Sequence, residues 1–223
     1  MSNYNYKISI HALLQQGEWD LVQHFVFSPC QAEEELEERY RIRDWLFRTV
    51  AEYGERSETQ PHVIRTLLRL FPEESPAFWT LSLRCARAPL SLLRSFLARG
   101  KLAPDSELAL YVLNYEHATR PEILLTMDEL LLAGLDINVC EPTYRQPLLQ
   151  EYLFIVLYSH YLGTGAGRCA QDLRTFVPYL LQKGADPLLQ DASGTNALQY
   201  VQEFGSMPSE LKQWLLTELE RYA

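Results

Sequence analysis

No stretch of this chain is apolar for long enough to cross a bilayer. The longest such run, Tyr152 to Tyr158 and on to Leu162, falls far short of the roughly 20 residues a membrane helix needs. The first residues, Met1-Ser2-Asn3-Tyr4-Asn5-Tyr6-Lys7, lack the charged-then-apolar layout of a secretory leader. A soluble, cytoplasmic protein is therefore expected, with delivery by a route that reads no such leader left open. Cysteine is scarce: Cys30, Cys85, Cys140 and Cys169 form no CxxC pair and have no histidines at ligand spacing, so buried, reduced thiols are expected and no metal or cofactor. The GxSxG, HExxH and GxxxxGK[ST] signatures are missing too, which removes the commonest readable catalytic frameworks. Gly163-Thr164-Gly165-Ala166-Gly167 has no phosphate-loop spacing and reads as a connection.

What is present is apolar, helical and acidic. Hydrophobic residues make up 47% of 223 positions, enough for a core. The formal net charge is −9, which counts against a general nucleic-acid binder, because phosphate contacts draw on clustered Lys and Arg. The charge is uneven. Between Glu74 and Asp105 there is no acidic residue, and Arg84, Arg87, Arg94, Arg99 and Lys101 form a candidate basic patch there; Glu33, Glu34, Glu35, Glu37 and Glu38 form an acidic cluster.

Punctuation by proline and glycine divides the chain into helices. Ile8 to Val26 reads as a short helical hairpin around Gly17, and 31–58 as an irregular amphipathic helical insertion, with Gly54 ending its helix. Pro61 opens a helix that Pro72 closes. Ser75-Pro76 has the form of an N-cap followed by a first-turn proline, and Pro89 begins the next helix, which Gly100 ends. Helices are expected from Ser106 to Tyr115 and from Pro121 to Ala133. Pro147 to Leu162 is apolar nearly all round, so a fully buried helix is expected; Pro178 predicts a kink or a late start in the one after it. Pro208 opens a last helix, 208–223, polar on one side as a terminal cap should be.

An internal repeat organises this order. Leu130-Leu131-Leu132-Ala133-Gly134-Leu135-Asp136 and Leu180-Leu181-Gln182-Lys183-Gly184-Ala185-Asp186 lie 50 positions apart, and the same offset lays Pro147 on Ala197 and Leu148 on Leu198. Leu92 to Gly100 is a weaker third copy, 34 positions before Gly134. A helix closed by Gly-Ala-Asp and followed by Asp191-Ala192-Ser193-Gly194-Thr195-Asn196-Ala197-Leu198 resembles the ankyrin repeat, with a period of about 33 residues. Asn196 and Gln199 stand where that family usually has Thr and His, Gln146-Pro147-Leu148-Leu149 stands for the TPLH motif, and His11 before Gly17 keeps the motif histidine. The 50-residue spacing exceeds the period by roughly 17, so the Pro147 helix, the glycine-rich segment or both carry an insertion.

The resemblance implies an all-α, single-domain helical-hairpin solenoid over 1–223, of about four to six helix pairs with short extended loop tips. It also implies a non-catalytic module that binds another protein through those tips and a concave face of inner helices, in the manner of an effector, inhibitor or immunity-type protein. Candidate contacts are Glu141, Tyr144 and Arg145 on one tip and Gln190, Asp191 and Ser193 on the next. Two other uses stay open: polyanion binding along Arg84 to Lys101, and an enzyme drawing on His11, His24, His62, His117 or His160 with one of the cysteines.

Overall fold

Among the described residues, proline and short polar side chains start most of the helices, and glycine closes three of them. The computed structural model describes residues 67–68, 74–161 and 166–223. The expected hairpin around Gly17, the 31–58 insertion, nearly all of the Pro61 helix and the glycines at 163 and 165 lie outside these residues. Within them the fold is all-α: eight helices are described over their full length, and the one β contact is the bridge between Cys140 and Pro147. No helix among the described residues is long and apolar enough to cross a membrane. The chain divides into two compact units between Ala103 and Pro104.

In the first unit, α1 (Pro76–Cys85) begins at Ser75, whose hydroxyl accepts the N–H of Phe78 at 3.2 Å. This satisfies one of the donors that a helix start leaves unpaired. A short link leads to α2 (Leu90–Leu97), and Trp79 of α1 packs on Phe96 of α2 with ring centroids 4.8 Å apart. Thr80 then ties down the end of the unit, since its hydroxyl accepts from the Ala103 N–H at 3.1 Å and donates to the Ala103 carbonyl at 3.3 Å. Leu81, apolar in the helix pattern, points to solvent.

The second unit contains α3 (Ser106–Leu113), α4 (Arg120–Leu132), α5 (Leu148–Tyr161), α6 (Ala166–Gln182), α7 (Ala197–Glu203) and α8 (Ser209–Arg221). Successive helices pair as α3–α4, α5–α6 and α7–α8. The first members stack in one layer, α3 on α5 and α5 on α7, while α6 lies on α8 in the other. Side chains carry the second layer back to α4: the Arg120 guanidinium meets Asp172 of α6 at 2.8 Å, and Asp128 accepts the Tyr179 hydroxyl at 2.7 Å. Tyr152, Leu153, Phe176, Val177, Leu180, Val201 and Leu215 fill the space between the layers.

Three helix ends close with one geometry. The N–H groups of Lys101, Leu135 and Ala185 reach back five residues to the carbonyls of Phe96, Leu130 and Leu180 at 3.1, 3.0 and 3.0 Å. The glycine before each has positive φ, +64° at Gly100, +102° at Gly134 and +94° at Gly184. This is the turn in which glycine avoids the Cβ penalty. No atom lies within 4 Å of where a Cβ on Gly184 would sit. Gly184→Ala should therefore cost only backbone strain, about 1–2 kcal/mol, read as a lower urea midpoint; an unchanged midpoint would contradict the turn.

Several expectations change on contact with the structure. α5 is a helix, but it is not buried all round: Phe154 and Tyr158 are 43% and 50% exposed. Pro178 lies deep inside α6, which begins at Ala166, so a late start is ruled out. Pro147 precedes the first helical residue, with its carbonyl accepting from Glu151 at 2.9 Å. α5 and α7 thus begin 49 residues apart (197 − 148), and the first tip is one residue longer than the second. The spacing of 50 holds up to the tips and slips there. The extra length relative to a 33-residue period goes into α5 and α6, which have 14 and 17 residues against 7 for α7.

Candidate functional site

The two loop tips are small hydrogen-bonded frames built by carboxylates. At the first, the Glu141 N–H donates to the Gln146 carbonyl at 2.9 Å, and the Glu141 carboxylate accepts the backbone N–H groups of Thr143 and Tyr144. The Tyr144 N–H, more than burial or Thr143, governs its titration and holds the carboxyl below its ordinary value. Arg145 takes a positive φ of +52°, a left-handed position that usually falls to glycine. At the second tip, Asp191 makes the equivalent frame. One carboxylate oxygen accepts the Ser193 N–H and hydroxyl at 2.8 and 2.7 Å and the Thr195 N–H at 3.1 Å. Gly194 supplies the left-handed residue there, at +83°.

Four hydrogen bonds join the two tips to each other. The Ala192 N–H donates to the Tyr144 carbonyl at 3.0 Å, and the Asn138 amide donates to the Gly184 carbonyl at 3.0 Å while its oxygen accepts the Asp186 N–H at 2.8 Å. Gln150, buried at the start of α5, donates to the other Asp191 oxygen at 2.8 Å. The sequence candidates are therefore brought onto one edge of the second unit in two roles. Glu141, Asp191 and Ser193 spend their polar atoms on the frame; Tyr144, 71% exposed, with Arg145 and Gln190, projects from it. Asn138 and Gln150 were not among the candidates, though each interrupts an apolar run, Ile137 to Val139 and Pro147 to Leu157.

Partly exposed aromatic rings run from α5 onto α7. Phe154 and Tyr158 stack nearly parallel, centroids 5.9 Å apart at 7°, and the contact continues from Phe154 to Tyr200 at 6.1 Å and from Tyr200 to Phe204 at 6.0 Å. α7 is held at both ends. Asn196 and Gln199 form a reciprocal capping box at 2.9 and 3.0 Å that satisfies the first donors of the helix. The Lys212 ammonium meets the Gln202 and Phe204 carbonyls at 2.7 and 3.0 Å, the favourable end of the helix for a cation.

The basic residues lie in the first unit along the α1–α2 hairpin. Arg84 is in the last turn of α1, Arg87 in the link with φ +53°, Arg94 in α2, and Arg99 and Lys101 in the turn after it. Arg99 donates to the Ser95 carbonyl, so part of its charge serves the end of α2. Among the reactive types, Cys85 is exposed rather than buried, Cys140 is half-buried, and exposed His117 stands edge-on to Tyr115 at 5.8 Å. No group of three His, Cys, Asp or Glu that could hold a metal occurs among the described residues. His11, His24, His62 and Cys30 lie outside those residues, as do the side chains of His160 and Cys169.

One titratable cluster, Asp128, Tyr179 and Lys183, has a structural explanation. The Lys183 ammonium lies 2.7 Å from Asp128, and its hydrogen bond, followed by that from Tyr179, holds the Asp128 carboxyl below its ordinary value. Burial first, and the hydrogen bond to Asp128 second, push the Tyr179 hydroxyl up. The tyrosine is thus kept protonated as a donor, which suits a strut between α4 and α6 better than a proton acceptor.

Compared with protein-family models, with curated proteins and with solved structures, the chain matches none of them.

Proposed function

We propose that this chain is an ankyrin-type solenoid of helical hairpins that acts as a non-catalytic protein-binding module, in the manner of an effector, inhibitor or immunity-type protein, engaging its partner through the loop tips and the concave face of the inner helices. The observation that carries this is the pairing of a rigid frame with an exposed aromatic surface. Tips joined by four hydrogen bonds hold Tyr144 outward, and Phe154 and Tyr158 stack in partial exposure on α5. Aromatic side chains on pre-ordered backbone bind at low entropic cost. Two stacked hairpins with the same glycine closure, each followed by a carboxylate-framed tip, support the resemblance in the second unit.

The test is capture of binding partners by the wild-type chain and by Tyr144→Ala and Phe154→Ala, with urea unfolding as a control. Tyr144 is largely and Phe154 partly exposed, so stability should change by about 1 kcal/mol or less, while a central contact should lose at least about fivefold in affinity. Partners that bind both variants as well as wild type would remove the proposed surface. The alternative of polyanion binding along Arg84 to Lys101 predicts binding that collapses as salt rises and that ignores Tyr144 and Phe154.

A further inference from the structure

We propose that Arg145 is the residue of the first loop tip that selects the partner, its guanidinium receiving an aspartate or glutamate carboxylate of the bound protein. This rests on the protein-binding reading above and assigns the chemical group that the tip recognises. Residues 104–223 hold 7 Lys and Arg against 16 Asp and Glu (7 − 16 = −9), so a cation in this unit has carboxylates in excess to pair with. The described cations are engaged inside the protein with one exception. Arg120 meets Asp172, Lys183 meets Asp128, and Arg221 lies 3.6 Å from Glu218. Arg174 stands over the Trp214 ring at 4.9 Å, and Lys212 holds the carbonyls at the end of α7. Arg145 is exposed, and no hydrogen bond, ion pair or ring contact engages its side chain. Even Glu141, four residues earlier, spends its carboxylate on the N–H groups of Thr143 and Tyr144.

The backbone supplies a second observation. Arg145 takes a φ of +52° where the second tip has Gly194 at +83°. A Cβ is disfavoured in that region, so glycine would serve the turn better, and the arginine is kept at a cost to stability. Strain of this kind gathers at sites that clamp a ligand. The tip that carries it is pre-ordered by its bonds to the second tip, and its neighbours Tyr144, 71% exposed, and Gln190 also face solvent. Tyrosine and arginine are the side chains that most often dominate binding energy. A carboxylate is the matching group because the planar guanidinium offers it two parallel N–H donors. A phosphate-rich polyanion fits worse, since the net −9 of the unit repels every added charge within a Debye length of about 8 Å, whereas a single carboxylate gains its attraction at contact.

The experiment selects binders of the full chain from a displayed library of random peptides and keeps those lost on Tyr144→Ala. These should share an enriched Asp or Glu position and should bind Arg145→Gly about tenfold or more weakly. That variant, freed of the left-handed side chain, should nonetheless have a urea midpoint no lower than wild type; a lower midpoint would mean that the arginine serves the fold and would overturn the proposal. Selection on Arg145→Glu should exchange the acidic position for Lys or Arg. Arg221→Gln changes the net charge as much as Arg145→Gln and should leave binding unchanged, so equal losses in the two would mean diffuse attraction and overturn the assignment. Displacement of the peptides by millimolar inorganic phosphate but not by acetate would make the site a phosphate site and overturn it too. Peptides that depend on Tyr144, lack acidic enrichment and bind Arg145→Gly as well as wild type would refute the carboxylate alone and leave the tip a protein-binding site. A library that yields no Tyr144-dependent binder overturns both.

Discussion

Replacing Phe176 by alanine is expected to cost about 3–5 kcal/mol, while the same replacement at Phe154 should cost about 1 kcal/mol or less. Phe176 is 1% exposed. It meets the Tyr152 ring of α5 edge-on, centroids 6.1 Å apart at 83°, and lies in the row with Val177 and Leu180 that joins the two helix layers. Removing it deletes the transfer energy of a ring and leaves a cavity that close-packed neighbours cannot fully collapse into. A domain rarely has more than 5–15 kcal/mol in hand, so the variant's second unit should unfold at much lower urea, and the loss should register in far-UV circular dichroism. Phe154 is the contrast: its ring is half in water and touches Tyr158 and Tyr200. The pair of substitutions separates the two roles of aromatic residues in this protein. Comparable losses at the two positions would mean that Phe154 belongs to the core, and the proposed binding face would lose its centre.

The helices of the described region were legible because their ends are written in single residues. Ser75 and Pro76, Pro89, Gly100, Gly134, Gly184 and Pro208 each impose or forbid a backbone conformation locally, and each stands within three residues of a helix boundary. The internal repeat was legible for the same reason, since the glycine turn and the Asp136 and Asp186 side-chain bonds to Asn138 and Leu188, 2.9 and 2.8 Å, are short-range. What the sequence concealed depends on distant partners. The 50-residue offset ran one residue too far because no local signal marks Arg145, rather than a glycine, as the left-handed residue of the longer tip. The apolar run from Pro147 looked buried on every side, whereas Phe154 and Tyr158 are exposed by the way α7 and α3 flank α5. Gln150 gave a polar interruption in that run, but only the fold brings Asp191, 41 residues on, to its amide.

Asp191→Ala is expected to destabilise the second unit by about 2–4 kcal/mol. The larger part comes from Gln150, 1% exposed, whose amide would lose the acceptor at 2.8 Å; an unpaired buried donor costs about 1–3 kcal/mol. The remainder comes from the three bonds that fix the Ser193 to Thr195 turn. Asp191→Asn should cost much less. Its carbonyl oxygen can still accept the Ser193 and Thr195 donors, and its amide can donate to the Gln150 carbonyl oxygen, which has no partner at present, once that side chain flips. The same pair yields a pH test. Burial pushes the Asp191 carboxyl up, but the bonds from Ser193, Thr195 and Gln150 outweigh it and hold its value below the ordinary one. As pH falls, the unfolded chain therefore takes up the proton first, near its usual pKa of about 3.9. The stabilisation is fully present above that point and is lost as pH falls through the lower, folded value. Asp128 and Glu141 are lowered as well and act in the same direction, so the informative quantity is the difference between wild type and Asp191→Asn. Unfolding by urea at pH 7 and at steps below pH 4 should show the wild type losing stability faster than the asparagine variant. Parallel curves would mean that the carboxylate does not organise the tip as a charged group. Binding sharpens the distinction further: Asp191→Asn, which keeps the frame, should hold a partner nearly as well as wild type, whereas Asp191→Ala should lose it together with the orientation of Tyr144, whose carbonyl accepts the Ala192 N–H from that tip.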